Sequence, residues 1–280
     1  MKKVLLATTI LGMSAGFAAA EIAFTGEATA GFASVNGADY ESYTSFELSV
    51  AATAESDSGL SFGASFSAIA GKTFDFDGAG SSFEDAEDGI FGAPSVFISG
   101  DFGKVEFAVD GYADYNDDDA DFHDIEYTHS ISDFSIGLRA DVDNGDEDSE
   151  DAGEYSVQLG YAVSGIELGL NYDSLNETYD VSASYETGAL TFGLGYDDAE
   201  VTTVSVDYSA NGISAGIEAD SNDDYTLSAG YEANGLSFGV ETDQDSIWEV
   251  TAGYDLGGGL ELEAGFHESE SAFVGAKMAF

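Results

Sequence analysis

The sequence has 280 residues, no cysteine, one proline and a formal net charge of −49, with 55 Asp and Glu against 6 Lys and Arg. So acidic a chain excludes nucleic acid as a partner and is repelled by bare anionic lipid surfaces. Without cysteine it is held by hydrogen bonding and packing rather than by disulfides, and its 20 Phe, 15 Tyr and regular alternation speak against disorder.

The opening MKKVLLATTILGMSAGFAAA combines two lysines, an apolar run and small residues before Glu21, the pattern of an export signal. We expect residues 1–20 to be a signal peptide cut after Ala20 and residues 21–280 to form the mature domain. Lys2 and Lys3 leave with the signal, so Lys72, Lys104, Arg139 and Lys277 are the remaining basic residues. No later run approaches the ~20 apolar residues of a membrane helix, so any membrane span must be built from strands.

Strand one is expected at 22–33, with Ile22, Phe24, Ala28, Ala30 and Phe32 on one face and Thr25, Glu27 and Thr29 on the other. A polar loop at 35–42 leads to strand two, 43–54, where Phe46, Leu48 and Val50 oppose Ser45, Glu47 and Ser49. The turn at 56–59 gives strand three, 60–70. A long interruption follows at 71–94, rich in acids and Phe and carrying Pro94, which we expect to be a loop that packs somewhere. Strands four and five fall at 95–99 and 104–109, followed by an acidic loop at 111–124.

From there hairpins recur: 125–131 with 134–142, 154–163 with 166–172, 178–186 with 190–196, 203–208 with 213–219, 225–231 with 236–242, and 247–254 with 260–267. Their turns use Gly and Asn, which supply positive φ. A last strand at 272–280 ends in Phe280. The count is eighteen, an even number that puts both termini on the periplasmic side if this is a membrane barrel. Each apolar row is short and one-sided. A soluble sandwich would turn such rows toward each other, whereas a barrel in lipid turns them outward and its polar rows toward water. Tyr161, Tyr172, Tyr185, Tyr196, Tyr208, Tyr231 and Tyr254 lie at or near strand ends, where interfacial aromatic girdles sit.

VFISGDFGKVEF at 96–107 and YDLGGGLELEAGF at 254–266, with the AGFAAA-E cleavage region and the terminal Phe280, resemble the general diffusion porins of alphaproteobacteria. The resemblance is spread over most of the mature chain and strongest at 60–68, 96–107, 125–173 and 248–280. It implies a homotrimeric outer-membrane β-barrel among lipid and lipopolysaccharide, with a water-filled pore for small hydrophilic solutes and ions, usually of sixteen strands. The fold expected is thus all-β, a transmembrane antiparallel barrel of 16–18 strands. The extra hairpin falls most plainly in 203–242. The family's constriction loop is long and follows strand five, whereas here that interval is only 111–124. The narrowing loop is therefore either 71–94, with Asp75, Asp77, Glu84, Asp85, Glu87 and Asp88, or the run Asp114, Asp117, Asp118 and Asp119.

By alternation the pore-lining acids are Glu27, Glu47, Glu106, Glu126, Glu154, Glu167, Asp180, Asp207, Glu218, Glu241, Glu249, Glu261 and Glu263, opposed only by Lys104, Arg139 and Lys277. A lumen negative nearly all round predicts cation preference that fades with salt. Many other inward positions are Gly, Ser or Thr, which leave open space.

No catalytic motif surrounds any Ser, and His123, His129 and His267 stand in no recognisable triad, so no enzyme and no tightly held cofactor is expected. The run 141–151 has Gly145 one place early for an EF-hand, and loose Ca²⁺ or Mg²⁺ binding at Asp141, Asp143, Asp146 and Asp148 is the metal reading it allows. The alternative function is a structural or adhesive outer-membrane barrel with a plugged lumen and acidic, divalent-cation-binding loops.

Overall fold

A strand with one apolar row must hide that row, and a sheet in lipid must also leave no unpaired backbone. Closure into a barrel meets both demands. The computed structural model describes residues 21–77, 80–116, 123–142 and 154–280; the expected signal peptide lies outside them.

Nineteen strand segments and no α-helix occur among the described residues. The first part holds β1 (Glu21–Ser34), β2 (Glu41–Glu55), β3 (Ser61–Asp75), β4 (Ser82–Phe91), β5 (Ser95–Gly100), β6 (Gly103–Tyr112), β7 (His123–Ile131) and β8 (Phe134–Ala140). Next come β9 (Tyr155–Val163), β10 (Ile166–Asp173), β11 (Tyr179–Thr187), β12 (Leu190–Asp197), β13 (Thr202–Ala210) and β14 (Ile213–Asp220). The last are β15 (Tyr225–Ala233), β16 (Leu236–Asp243), β17 (Trp248–Gly257), β18 (Leu260–His267) and β19 (Ala272–Ala279). All pairings are antiparallel, and β1 closes the ring by pairing with both β2 and β19. Past β19, Gly26 and Phe280 exchange backbone hydrogen bonds of 3.0 Å in both directions.

The nineteen segments make eighteen staves. β4 pairs with the distal part of β3 (Ala68↔Phe91 to Asp75↔Ser82) and β5 with its start (Ser61↔Ser99 to Ser65↔Ser95), so β4 and β5 are one stave broken around Pro94. Proline cannot donate to a ladder, and the break falls where it stands. This corrects the expectation of a loop at 71–94: β3 runs on to Asp75 and 82–91 is strand. Alternation failed to show it because Gly71, at φ 102°, lies at a bulge that resets the register between Ile69 and Gly71. β6 likewise extends to Tyr112, so the following connection begins at residue 113.

The apolar rows face outward. Phe24, Phe46, Phe66, Leu194, Ile217, Leu262 and Val274 are all well exposed, and the buried apolar residues among those described are only Ala33, Tyr43, Ala108 and Ala272. A protein with this inversion is stable only if lipid covers its outside. Tyr155 and Tyr161, Tyr179 and Tyr185, Tyr225 and Tyr231, and Trp248 and Tyr254 repeat a six-residue spacing. Six residues span about 20 Å along a strand, so they form two aromatic girdles flanking an apolar band.

The loop end is tied by a device repeated with the hairpins. Asp173, Asp220 and Asp243 each cap their loop by accepting two backbone N–H groups on Oδ1, at 2.8 to 3.0 Å. Glu200, Asp223, Ser246 and Glu270 take φ of 64° to 72° at matching places. The side chains of Ser174, Asp198, Ser221 and Gln244 then accept the N–H of Tyr155, Tyr179, Thr202 and Tyr225, stitching each loop to the strand before it. At the opposite end the hairpins turn on Ser164-Gly165, Asn211-Gly212 and Asn234-Gly235, all with positive φ.

Asp220→Ala and Asp243→Ala each remove a cap from two backbone N–H groups, a loss of about 1 kcal/mol. Amide exchange measured by mass spectrometry should rise roughly fivefold to tenfold in the loop concerned and stay unchanged at the turn end.

Candidate functional site

The side of the sheet opposite the exposed apolar rows encloses the lumen. Register places acids opposite one another there: Glu27↔Glu47, Glu106↔Glu126 and Glu241↔Glu249. Like charges in directly paired positions destabilise a sheet, and basic residues relieve two of these pairs. Lys277 Nζ lies 2.8 Å from Glu27, Lys104 pairs with Glu106, and Arg139 Nε lies 3.0 Å from Glu126. Lys72 pairs with Glu41 at 2.6 Å on the rim. Each of the four basic residues after residue 20 is thus held by a carboxylate.

The other alternation-derived residues occupy the same face. Glu167 stands opposite Ser184, Asp207 opposite Gly216, Glu218 opposite Ser205, Glu261 opposite Lys277 and Glu263 opposite Gly275. Asp180 accepts a 3.0 Å hydrogen bond from Asn171. Glu154 is half-buried just before β9. Around Glu241 and Glu249 the wall is small and polar, with Ser214, Ser228, Ser237 and Thr251 bounding a groove of about 460 Å³.

Two segments lean into the lumen from the loop end. Beyond the bulge, the β3–β4 ribbon carries Phe74 and Phe76 onto Tyr43 and Phe273, both on lumen-facing positions. Ring centroids are 5.8 Å apart for Phe74 and Tyr43, 5.9 Å for Phe74 and Phe273, 4.9 Å for Phe76 and Phe273, and 5.1 Å for Phe74 and Phe83. Burying these rings against each other anchors the ribbon in an otherwise polar lumen. Gly31 and Gly275 make room for the Tyr43 ring, which a Cβ at either would strike. Of the candidate residues in the ribbon, Asp75, Asp77 and Glu84 are exposed, while Asp85, Glu87 and Asp88 belong to the backbone of β4.

The second segment, 113–116, lies on the wall of β7 to β11. Arg139 Nη1 donates to the Ala113 carbonyl at 2.5 Å, Ser156 Oγ accepts the Tyr115 N–H at 3.0 Å, and Asn116 donates to Thr178 at 3.2 Å. The guanidinium stacks 4.0 Å over the Tyr115 ring. Burial and the nearby Glu126 carboxylate push the Tyr115 hydroxyl up to about 12. Asp114 is buried rather than lining the pore, 2.6 Å from His123 Nε2, and desolvation raises its pKa. Asp117, Asp118 and Asp119, and the proposed cation ligands Asp143, Asp146 and Asp148, lie outside the described residues; Asp141 is described, and its N–H donates to the Glu154 carbonyl at 3.0 Å. Alternation alone did not single out Tyr43, Phe273, His123 or Asp173; the available signal was two large rings on lumen-facing positions.

The profile of the Gram-negative porin family matches residues 7–272. No curated protein matches the sequence. Among solved structures, one engineered variant of the porin of Rhodopseudomonas blastica aligns with TM-score 0.55 and 17% identity, covering 92% of this chain and 100% of that one. A triple mutant of the same porin aligns with TM-score 0.55 and 15% identity over the same shares.

Phe76→Ala removes one aromatic partner of Phe273, worth about 1 kcal/mol. Amide exchange and limited proteolysis within the ribbon, residues 74–84, should accelerate several-fold while the staves β11 to β16 keep their protection.

Proposed function

The chain belongs to the Gram-negative porin family, and on that premise we propose that it is a cation-preferring diffusion channel of the outer membrane for small hydrophilic solutes and ions. The observation carrying the reading is the charge arrangement on the inner face. Three basic residues sit in ion pairs with wall acids, and Glu167, Asp207, Glu218, Glu241 and Glu249 face the lumen beyond the reach of any of those pairs. A ring of one sign selects ions of the other.

We further read residues 1–20 as the export signal, the assembly as a homotrimer, and lipopolysaccharide and lipid as the surroundings of the outer face. Ca²⁺ or Mg²⁺ held loosely by the acidic loops would bridge to lipopolysaccharide phosphates. Catalysis has no place in this reading. The plugged, adhesive barrel is disfavoured because, among the described residues, the inward segments pack mainly on β1 to β3, β18, β19 and β7 to β11, and the groove bounded by Ser214, Ser228, Ser237 and Thr251 stays open.

Reversal potential of the purified protein in a planar bilayer under a KCl gradient tests the selectivity. The expected sign is that of K⁺ permeation, weakening between 0.1 M and 1 M as the screening length falls from about 10 Å to about 3 Å. The double variant Glu241→Gln, Glu249→Gln should lower the K⁺/Cl⁻ permeability ratio by roughly half. A potential of zero or of anion sign in the wild-type protein would remove the cation reading.

A further inference from the structure

We propose that Asp114, His123 and Asp173 form a binding site for a divalent first-row transition-metal ion, Zn²⁺ in the first instance, which fastens the inward segment 113–116 to the barrel wall. The three side chains come from the segment after β6, the start of β7 and the end of β10, and are 2%, 1% and 1% exposed. One ligand atom from each lies within 4.8 Å of the others.

The polar accounting of this cluster is incomplete. Asp173 Oδ1 caps its loop by accepting the N–H groups of Leu175 and Asn176 at 2.9 and 3.0 Å, but its Oδ2 is enclosed with no hydrogen-bond partner among the described residues. His123 Nδ1 is enclosed and unpartnered in the same way, while Nε2 lies 2.6 Å from Asp114 Oδ1. Capping does not require this burial, because Asp220 and Asp243 do the same work half-exposed. Unpaired buried polar atoms are costly, and two carboxyl groups beside one imidazole crowd acceptor oxygens into a dry place. The nearest guanidinium, Arg139, is turned to Glu126 and to the Ala113 carbonyl.

A divalent ion bound at His123 Nε2 takes up the open Asp173 Oδ2 and the charge of the carboxylates that ligate it. Imidazole with carboxylates suits Zn²⁺ and its neighbours, whereas Ca²⁺ takes six to eight oxygens, more than this enclosed trio offers. Tetrahedral ligands at ~2.1 Å from a metal stand roughly 3.4 Å apart. The trio, with ligand atoms up to 4.8 Å apart, is therefore within about 1.4 Å of that spacing. Entry of the ion breaks the Asp114–His123 hydrogen bond and releases its proton to solvent. Because Tyr115 and Asn116 follow Asp114 directly, the ion would fix the segment that narrows this side of the lumen.

The test uses the full mature chain, refolded and stripped of metal by a chelator. Calorimetric titration with Zn²⁺ should show one site per chain, excess Ca²⁺ or Mg²⁺ should not compete, and the thermal midpoint should rise with bound Zn²⁺. Asp173→Asn keeps the Oδ1 cap and His123→Gln keeps side-chain bulk; each should weaken Zn²⁺ binding by at least about the tenfold that loss of an outer-shell partner costs. Co²⁺ bound to the wild-type protein provides a second readout independent of any variant's folding: an intense visible absorption of low-coordinate Co²⁺ with nitrogen ligation is expected. Folded variants that bind Zn²⁺ as the wild type does, absence of a one-per-chain site, or a weak octahedral, carboxylate-only Co²⁺ spectrum would each overturn the proposal. All these readouts stand apart from ion conduction, so they do not depend on the channel reading.

Discussion

The constraint on which the rest depends is that backbone hydrogen bonds cannot be left open in hydrocarbon. It requires the sheet to close on itself, and β1 does so by pairing along β2 on one edge and β19 on the other, with the Gly26–Phe280 exchange carrying the seam to the last residue. Closure makes the period of two a statement about inside and outside. One row meets lipid, the other water, and a displacement of one residue in any ladder would put Phe192 in the lumen and Asp207 in the membrane. Eighteen staves are more than inward side chains of this size can fill, which leaves a channel.

Within that frame electrostatics and packing divide the lumen between them. The four basic residues after residue 20 cannot balance the wall against 55 acids; they stand where two acids would otherwise face each other or at the rim. The two inward segments are held by different chemistry. A cluster of phenylalanines around Tyr43 holds the β3–β4 ribbon by excluding water, and a charged, hydrogen-bonded network around Arg139 holds the segment at 113–116. The short loops after β10, β14 and β16 are held by repeated aspartate caps and by stitches to their neighbours, so their acids add fixed negative charge at the loop end.

Much of this was legible in the sequence because alternation is a local signal. The hairpins from 125 to 267 fell where their periodicity and their Gly and Asn turns placed them, and the eighteen staves were countable. The region 71–94 was not legible as strand, since the Gly71 bulge and Pro94 interrupt the period on both sides, and the fourth stave was read only from its second half. The acids Glu27 to Glu263 could be assigned a face from parity. The cluster of Asp114, His123 and Asp173 could not be found that way, because it joins a loop residue to the ends of two strands that only the folded barrel brings together. Its residues are separated by 9 and 50 positions in the chain and share no motif. Phe74, Phe76 and Phe273 carried a weak signal as aromatic residues where water was expected.

The central claim is that the enclosed space conducts. The most direct measurement is single-channel current through the refolded protein in a planar bilayer. The account predicts stable open steps whose conductance rises with the conductivity of the bathing salt. A correctly folded barrel that inserts and passes no current would contradict it and show that the two inward segments close the lumen.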